Sequence, residues 1–191
     1  MDKVITEDIG AFSQHYPKVA VVVTAQAGGR DNAMAVAWHT SISLKPPLYG
    51  VSISPKRFTY QLIADSKEFG VNFLPLAKAE LIASVGGSKG YEMDKFRRFN
   101  IARDKPVKTA VPILKDAYAA YECKLVDDRG YGDHRWLVGE IVAVHWLREA
   151  FTPEETLDLG KVSPILYLGH ELYLTTAKDT RYLDRKVYGK K

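Results

Sequence analysis

The segment that most restricts the fold is the apolar run Val19-Ala20-Val21-Val22-Val23, together with the glycine-rich stretch after it. The run is too short for a helix and rich in β-branched residues, so it predicts a strand covered on both faces. Ala27-Gly28-Gly29-Arg30-Asp31 is typical of a tight turn, and a partner strand can begin near Asn32. These residues therefore predict an antiparallel hairpin.

Further strands are predicted wherever apolar and polar residues alternate. These segments are Leu48–Ser54, Phe69–Leu74, Tyr118–Val126, Trp136–Trp146 and Ile165–Leu174, the last interrupted at Gly169-His170. The turn-forming residues 127–133 would join two of them into a second hairpin. In the segment that begins at Tyr118, alternation places Ala119, Tyr121, Cys123 and Leu125 on one face and Glu122 and Lys124 on the other.

Helical spacing of apolar residues is limited to two short segments. It predicts helices at Phe58–Ala64 and Leu76–Val85, the second ending in a left-handed conformation at Gly86-Gly87. Residues 88–111 are polar and predict mostly loop, and such a long loop is usually functional or ordered by a ligand. At least six strands, few helices and no βαβ alternation predict a mainly β, antiparallel barrel with flanking helices.

Length and composition indicate a single soluble domain, residues 1–191. Hydrophobic residues make up 46% and charged residues 26%, which suits a globular chain with a substantial core. No stretch reaches the roughly 18–20 apolar residues of a membrane helix, and the first residues lack a signal-peptide centre. We therefore expect a cytoplasmic protein with no membrane contact.

Cysteine and histidine usage argues against a metal site. The single cysteine, Cys123, can form neither an internal disulfide nor a thiolate cluster, and it is most simply a small core residue. The five histidines never fall at the spacing of paired metal ligands. We expect no metal.

Charge is uneven along the chain, which carries 27 Lys and Arg against 23 Asp and Glu. The last eleven residues contain Arg181, Arg185, Lys186, Lys190 and Lys191, a tail that is either a solvated end or an anion-binding segment. No zinc finger, aromatic RNA-binding strand or helix-turn-helix pattern supports a nucleic-acid role. The phosphate-loop, dinucleotide-binding and serine-hydrolase glycine motifs are also absent from the sequence.

The sharpest chemical signal is Ser54-Pro55-Lys56-Arg57-Phe58-Thr59, where a strand ends and a helix begins. Ser54, Arg57 and Thr59 bring hydroxyl groups and a cation to a helix N-terminus, where free N–H groups and the helix dipole favour an anion. The segment therefore predicts a phosphate site. The alternative is that Thr59 only caps the helix and Arg57 is a surface charge.

Three other segments carry candidate polar groups. Residues 32–41 change from small apolar residues to hydroxyl groups in a predicted turn, so they can bring backbone N–H groups close to a flat ligand, although Met34 and Trp38 can equally be core residues. Gly86-Gly87-Ser88-Lys89-Gly90 offers backbone donors and a cation, or is simply a helix stop. His134, beside Asp133 in the second predicted turn, can position a ring or be structural.

Taken in order, these segments resemble the flavin reductase-like family, the FMN-binding split β-barrels that include flavoredoxins and archaeal ferric reductases. The resemblance spans nearly the whole chain. It rests on residues 32–38, Ser41 through Pro46-Pro47, residues 51–59, residues 69–73, Lys95-Phe96, Asp133-His134, residues 138–141 and residues 164–169.

The resemblance implies a split β-barrel of Greek-key type and a homodimer with FMN near the subunit boundary. The site residues it implies are Ala35, Val36, Ala37 and Trp38 along the flavin ring, Thr40 and Ser41 at its polar edge, Ser54, Arg57 and Thr59 at the phosphate, Ser88, Lys89 and Gly90 as loop contacts, and His134 near the flavin or the nicotinamide. FMN would carry electrons from NAD(P)H to free flavin, a ferric chelate or another acceptor.

Two other functions remain open at this stage. One is a non-catalytic, flavoredoxin-like carrier that a protein partner reduces, which would have the same barrel and phosphate site. The other is a binding protein without flavin, in which the hydroxyl and cationic segments are turns and caps. The sequence gives neither the choice between NADH and NADPH nor the final acceptor, because it has no ribose-reading acid of the dinucleotide-binding type.

Overall fold

The strands and helices of the structure follow the alternation of apolar and polar residues and the turn residues in the sequence. The computed structural model describes residues 2–10 and 12–185, so Lys186, Lys190 and Lys191 of the basic tail lie outside the described residues. The strands are β1 (Lys18–Val19), β2 (Val21–Ala27), β3 (Arg30–Val36), β4 (His39–Leu44), β5 (Pro47–Ile53), β6 (Glu68–Phe73), β7 (Arg103–Asp104), β8 (Ile113–Leu114), β9 (Ala119–Tyr131), β10 (His134–Trp146), β11 (Leu166–Gly169) and β12 (Leu172–Leu174). The α-helices are α1 (Phe58–Ser66), α2 (Ala79–Gly87) and α3 (Lys95–Arg98), and 3₁₀ turns occupy Leu76–Lys78 and Arg148–Ala150.

A seven-stranded sheet forms the centre of the fold, in the order β3-β2-β6-β9-β10-β5-β4 with every pair antiparallel. A second sheet has the order β1-β11-β12, and β7 pairs with β8. The predicted mainly β, antiparallel fold with few helices is confirmed. Among the described residues, no helix is both long and apolar enough to span a membrane.

Both predicted hairpins are present. β2 pairs with β3 across Gly28 and Gly29, which have φ of 55° and 73°, values that glycine adopts without strain. β9 and β10 pair from His134–Tyr131 to Trp146–Ala119, so each strand extends further toward the turn than its alternation predicts. Gly132, with φ of 61°, makes that turn tight.

The central strand β2 separates two apolar cores. Val22 packs into one core with Ile82 and Val85 of α2, and its neighbours Val21 and Val23 pack into the other, which contains residues of α1. Successive side chains of a strand point to opposite faces, so helices cover β2 on both sides. This confirms the strand buried on both faces that the valine run predicts.

Two local predictions are wrong. Thr40 and Ser41 do not form a turn; they belong to β4, where they pair with Gly50 and Tyr49 of β5. Gly86-Gly87 does not end α2 in a left-handed conformation, because α2 continues through both glycines and Ser88 is extended. The last turn of α2 is instead completed by side chains, since the Ser88 hydroxyl donates to the Ser84 carbonyl at 2.7 Å.

The long segment after α2 is mostly loop, as predicted, and a buried carboxylate holds its far end. Glu122 is 0% exposed and accepts hydrogen bonds from the backbone N–H groups of Val107, Lys108 and Thr109 and from His145 Nε2 at 2.6 Å. Burial alone raises the pKa of this carboxyl, but these hydrogen bonds outweigh it and lower the pKa to about 2. The loop therefore covers the face of β9 that carries Glu122.

Candidate functional site

A cavity of about 430 Å³ opens between β3, the start of α1, the end of α2 and the loop that leads to α3. Its wall includes Lys56, Arg57, Lys89 and Lys95, and no Asp or Glu is among the described residues that line it. We call it the cationic cavity. Lys89 pairs with Glu92 at 3.0 Å outside the lining, and the positive charge of the other three side chains favours an anionic ligand.

The start of α1 adds to this positive field. Arg57 occupies the N-cap position in an extended conformation, and its side chain makes no capping hydrogen bond. The first turn of α1 contains no acidic residue to neutralise the dipole. The N–H groups at this helix end are thus suited to donate to a phosphate oxygen on the side where Ser54 and Thr59 line the cavity.

Asn32 contributes a buried acceptor that no protein group satisfies. Its side-chain Nδ2 donates to Thr59 Oγ1 at 2.8 Å, while Oδ1 has no hydrogen-bond partner although the residue is only 2% exposed. A buried polar atom without a partner is costly and usually marks a place for water or a ligand. Because Asn32 lines the cationic cavity, a ligand that carries a hydroxyl group beside an anion would satisfy it.

Gly90 sets the distance between the loop and Asn32. A Cβ atom at position 90 would lie 2.5 Å from Asn32 Oδ1, closer than atoms can approach. Arg30 holds the loop from the other side, since its guanidinium lies 4.2 Å from the Phe58 ring centroid and donates to the Gly90 carbonyl at 3.2 Å. The Phe58 and Tyr91 rings also contact each other, with centroids 4.9 Å apart.

Lys95 forms the inner wall of the cavity. It is 3% exposed, and its Nζ donates to the carbonyl of Ala33 at 3.0 Å and to that of Val85 at 2.7 Å. Burial, and to a lesser degree the Arg57 charge, lowers its pKa to about 8. The Val85 bond also completes the last turn of α2, which ends just after it.

A second cavity of about 240 Å³ adjoins the first, and both are lined by Ala35 and Gly86. We call it the small-residue cavity, because Ala35, Val36 and Ala37 of the β3 end face Gly86 and Gly87 of α2 across it. Tyr167 and Tyr173 of the smaller sheet form the far side. Small side chains on two walls let a flat ring lie close to the backbone.

The structure brings nine of the predicted site residues to these two cavities. Ala35, Val36 and Ala37 line the small-residue cavity, with Ala35 shared, and Ser54, Arg57, Thr59, Ser88, Lys89 and Gly90 line the cationic cavity. Segments far apart in sequence therefore meet as the predictions require.

Four predicted residues line neither cavity. Thr40 and Ser41 are exposed on β4, and the strand order puts β4 at the opposite edge of the sheet from β3. Trp38 and His134 contact each other, with ring centroids 4.9 Å apart, and Trp38 Nε1 donates to the Tyr16 hydroxyl at 2.9 Å. The roles of these four residues stay predictions.

Sequence reasoning assigned no role to Arg30, Asn32 or Lys95. Asn32 and Lys95 stand inside segments that carry the family resemblance, so that likeness was the only signal for them. Nothing in the local pattern shows that a lysine in a polar loop becomes buried.

Comparison with known proteins agrees with this geometry. The family model described as flavin reductase like domain matches residues 13–173. The chain is 33% identical to an FMN-binding protein of Thermus thermophilus solved with bound 1-cyclohex-2-enone, with a TM-score of 0.85 over 96% of this chain and 99% of that one. A further similar fold is a split-barrel domain, so the predicted split-barrel class is confirmed.

Two curated relatives extend the comparison. An uncharacterized protein of Pyrococcus abyssi is 35% identical over 136 residues, which cover 71% of this chain and 78% of that protein. The ferric-chelate reductase (NAD(P)H) of Archaeoglobus fulgidus is 30% identical over 131 residues, which cover 68% of this chain and 76% of that protein. Relatives of this kind therefore include a named reductase.

Proposed function

The chain belongs to the flavin reductase-like family, and we propose that it is an oxidoreductase that binds FMN across the cationic and small-residue cavities. It would pass electrons from NAD(P)H to free flavin, a ferric chelate or another acceptor. The observation that carries the proposal is the joining of an acid-free, cation-lined cavity to one walled by small residues. One part suits a phosphate and the other a flat ring, which is the composition of FMN.

Arg57 and Lys89 would offset the phosphate charge, and the hydroxyl groups of Ser54, Thr59 and Ser88 would donate to its oxygens. Thr59 Oγ1 already accepts a hydrogen bond from Asn32, so its own O–H is free to donate. Charge-assisted bonds of this kind are about twice as strong as neutral ones. The phosphate would thus provide much of the binding energy.

The orphaned acceptor of Asn32 fits the sugar alcohol that joins the phosphate to the ring. The dianion of a phosphate monoester such as FMN has no proton to give, whereas each hydroxyl group of the ribityl chain has one. Asn32 Oδ1 lies in the wall of the same cavity as the cations. The residues present therefore fit a ligand that carries hydroxyl groups beside its phosphate, as FMN does.

Ala35, Val36 and Ala37 would lie along the flavin ring. When bound, FMN would supply the electron-transfer chemistry, which no side chain of the protein provides. The protein's part is to hold the ring against the end of β3 and to keep the phosphate charge balanced. Trp38, Thr40, Ser41 and His134 remain proposed contacts of the ring edge or of the nicotinamide.

We further propose that residues 1–191 act as a single cytoplasmic domain and pair as a homodimer. The flavoredoxin-like alternative, in which a protein partner reduces the flavin, uses the same two cavities. The two functions differ in whether the reduced nicotinamide reacts with this protein directly.

The test is the visible spectrum of the purified protein under anaerobic conditions. A yellow flavin spectrum that bleaches with NADH or NADPH supports the reductase and identifies the donor. A spectrum that bleaches only with dithionite supports the carrier instead. A colourless protein that also ignores added FMN would refute flavin binding.

A further inference from the structure

Glu171 brings a carboxylate to the small-residue cavity. Among the described residues that line this cavity, it is the one Asp, Glu, Lys or Arg. Its carboxylate makes no hydrogen bond or ion pair within the described part of the chain. Burial, and after it the negative charge of Glu171, raises the pKa of the Tyr173 phenol, which lines the same cavity. The charge of Glu171 therefore acts inside the cavity.

A two-residue turn between β11 and β12 sets the position of this carboxylate. Gly169 pairs with Leu172, which leaves two residues for the turn. These two, His170 and Glu171, are both left-handed, with φ of 51° and 62°. Turns that need two left-handed residues are usually made with Asn-Gly, because most other side chains are strained there. Formation of the turn therefore gives no reason for a glutamate at this position.

The hairpin turns its polar side chains toward the cavity. Tyr167 and Tyr173 are cross-strand partners, their ring centroids are 5.3 Å apart, and both line the cavity. Leu172, which alternates with Tyr173 along β12, is 56% exposed. The cavity thus receives two phenols and one carboxylate from this hairpin, and the solvent receives a leucine.

The two adjoining cavities carry opposite charges. The cationic cavity has Lys56, Arg57 and Lys95 and no carboxylate among its described lining, whereas the small-residue cavity has Glu171 and no cation. A ligand that spans both meets cations at its phosphate and a carboxylate at its ring. Reduction of a flavin ring adds negative charge to it, and a neighbouring carboxylate disfavours that added charge.

We propose that Glu171 places a negative charge beside the flavin ring and makes the protein discriminate against anionic electron acceptors. The inference rests on the proposed flavin function. Among the acceptors named above, it favours uncharged molecules such as quinones over negatively charged ferric chelates. The same charge lowers the reduction potential of the ring. A glutamate that only completes the turn would do neither.

The first measurement is the reduction potential of the FMN-loaded protein, by anaerobic equilibration with a reference dye at pH 7.5. Glu171→Gln should shift the equilibrium about tenfold toward reduced flavin, which is about 30 mV for two electrons. Glu155→Gln is the matched control, because Glu155 is also exposed and left-handed, with φ of 59°, and lines neither cavity. It should leave the potential unchanged. A Glu171→Gln protein with the potential of the unmodified one would overturn the placement of the charge.

Acceptors of different charge test the discrimination itself. The FMN-loaded protein is reduced with dithionite, so that no nicotinamide is needed, and is mixed with the ferricyanide trianion or with neutral benzoquinone. Two ferricyanide ions take one electron each from a reduced flavin anion, and its proton goes to solvent. One benzoquinone takes both electrons and that proton, with a second proton from solvent. Glu171→Gln should raise the ratio of the ferricyanide to the benzoquinone rate constant roughly tenfold at low ionic strength, and salt should diminish the effect.

Further variants separate charge from turn formation. Glu171→Lys should raise the ratio beyond that of Glu171→Gln, and Glu171→Asp should restore most of the discrimination. Glu171→Asn suits a left-handed turn, so it should fold at least as stably as the unmodified protein and still lose the discrimination. Equal ratios in the unmodified protein and in Glu171→Asn would refute the role of Glu171, whereas a protein that binds no FMN would refute the proposed function itself.

Discussion

Replacing Glu122 by Gln should release the loop at residues 107–109 and destabilise the fold. One carboxylate oxygen accepts from the N–H groups of Lys108 and Thr109 and from the Thr109 hydroxyl, and the other accepts from Val107 N–H and His145. A glutamine keeps one oxygen, so its NH₂ group must face the Val107 N–H. His145 can adapt by exchanging its tautomer, but the backbone donor cannot.

The size of the effect follows from those contacts. A buried N–H without a partner costs about 1–3 kcal/mol, and the remaining bonds lose their charge assistance. The same hydrogen bonds lower the Glu122 pKa from its ordinary value of 4.5 to about 2, which corresponds to roughly 3 kcal/mol at neutral pH. We therefore expect Glu122→Gln to lower the free energy of unfolding by about 2–4 kcal/mol.

The pH dependence of the free energy of unfolding provides a second test of the role of Glu122. Because the folded-state pKa lies below the unfolded one, the stabilisation is complete above about pH 5 and is lost as the pH falls toward 2. Urea unfolding between pH 7 and pH 3 should show the unmodified protein losing stability more steeply than Glu122→Gln. The difference between the two curves should shrink toward pH 3, where part of it remains because the folded-state pKa is about 2.

The matched control is Glu68→Gln on the neighbouring strand β6. Glu68 is part-exposed and accepts one bond from the same loop, from Ala110 N–H at 2.8 Å. Its replacement should cost no more than about 1 kcal/mol. Equal losses for the two variants, or a Glu122→Gln protein with the pH profile of the unmodified one, would refute the reasoning.

Three other predictions concern the site and the core. Arg57→Ala should weaken FMN binding about tenfold while changing riboflavin binding little, since only FMN has the phosphate; equal loss for both flavins in a fluorescence titration would contradict this. Gly90→Ala should also weaken FMN binding, because its Cβ would lie 2.5 Å from Asn32 Oδ1, whereas Gly130→Ala, whose Cβ meets only Arg135 Nη1 at 3.5 Å, should not. Burial, with a smaller contribution from the Glu122 charge, raises the pKa of the Cys123 thiol to about 12, so a thiol reagent at pH 8 should modify it only after unfolding.

The fold could be predicted where local pattern and tertiary setting agree. Alternation and paired turn residues gave both hairpins, and the segment at Phe58 gave α1. Thr40 and Ser41 were misassigned because hydroxyl residues suit both turns and edge strands, and pairing with β5 decides between them. Glycines at 86 and 87 permit a left-handed end but do not require one.

The chemical groups of the site could be predicted from the sequence, but which of its charged residues are buried could not. Ser54, Arg57 and Thr59 belong to one short segment, so a strand end followed by a helix start was enough to find them. Lys95 and Glu122 are buried by segments that are distant from them in the sequence, and their interactions depend on that burial. Alternation put Glu122 opposite Cys123 and indicated nothing about the loop that buries its carboxylate.

The two edges of the large sheet differ in what covers them. At β3, helices α2 and α3 pack alongside the strand, and Lys95 Nζ donates a hydrogen bond to the carbonyl of Ala33. A further strand therefore has no place to pair with β3. At β4, no strand among the described residues lies beyond the edge, and Ile42 and Leu44 are exposed there. A sheet with two free edge strands can pair with a further chain at each edge, and such growth has no limit. A sheet with a single free edge strand can pair with only one further chain. Any strand pairing between copies of this chain through β4 would therefore stop at two.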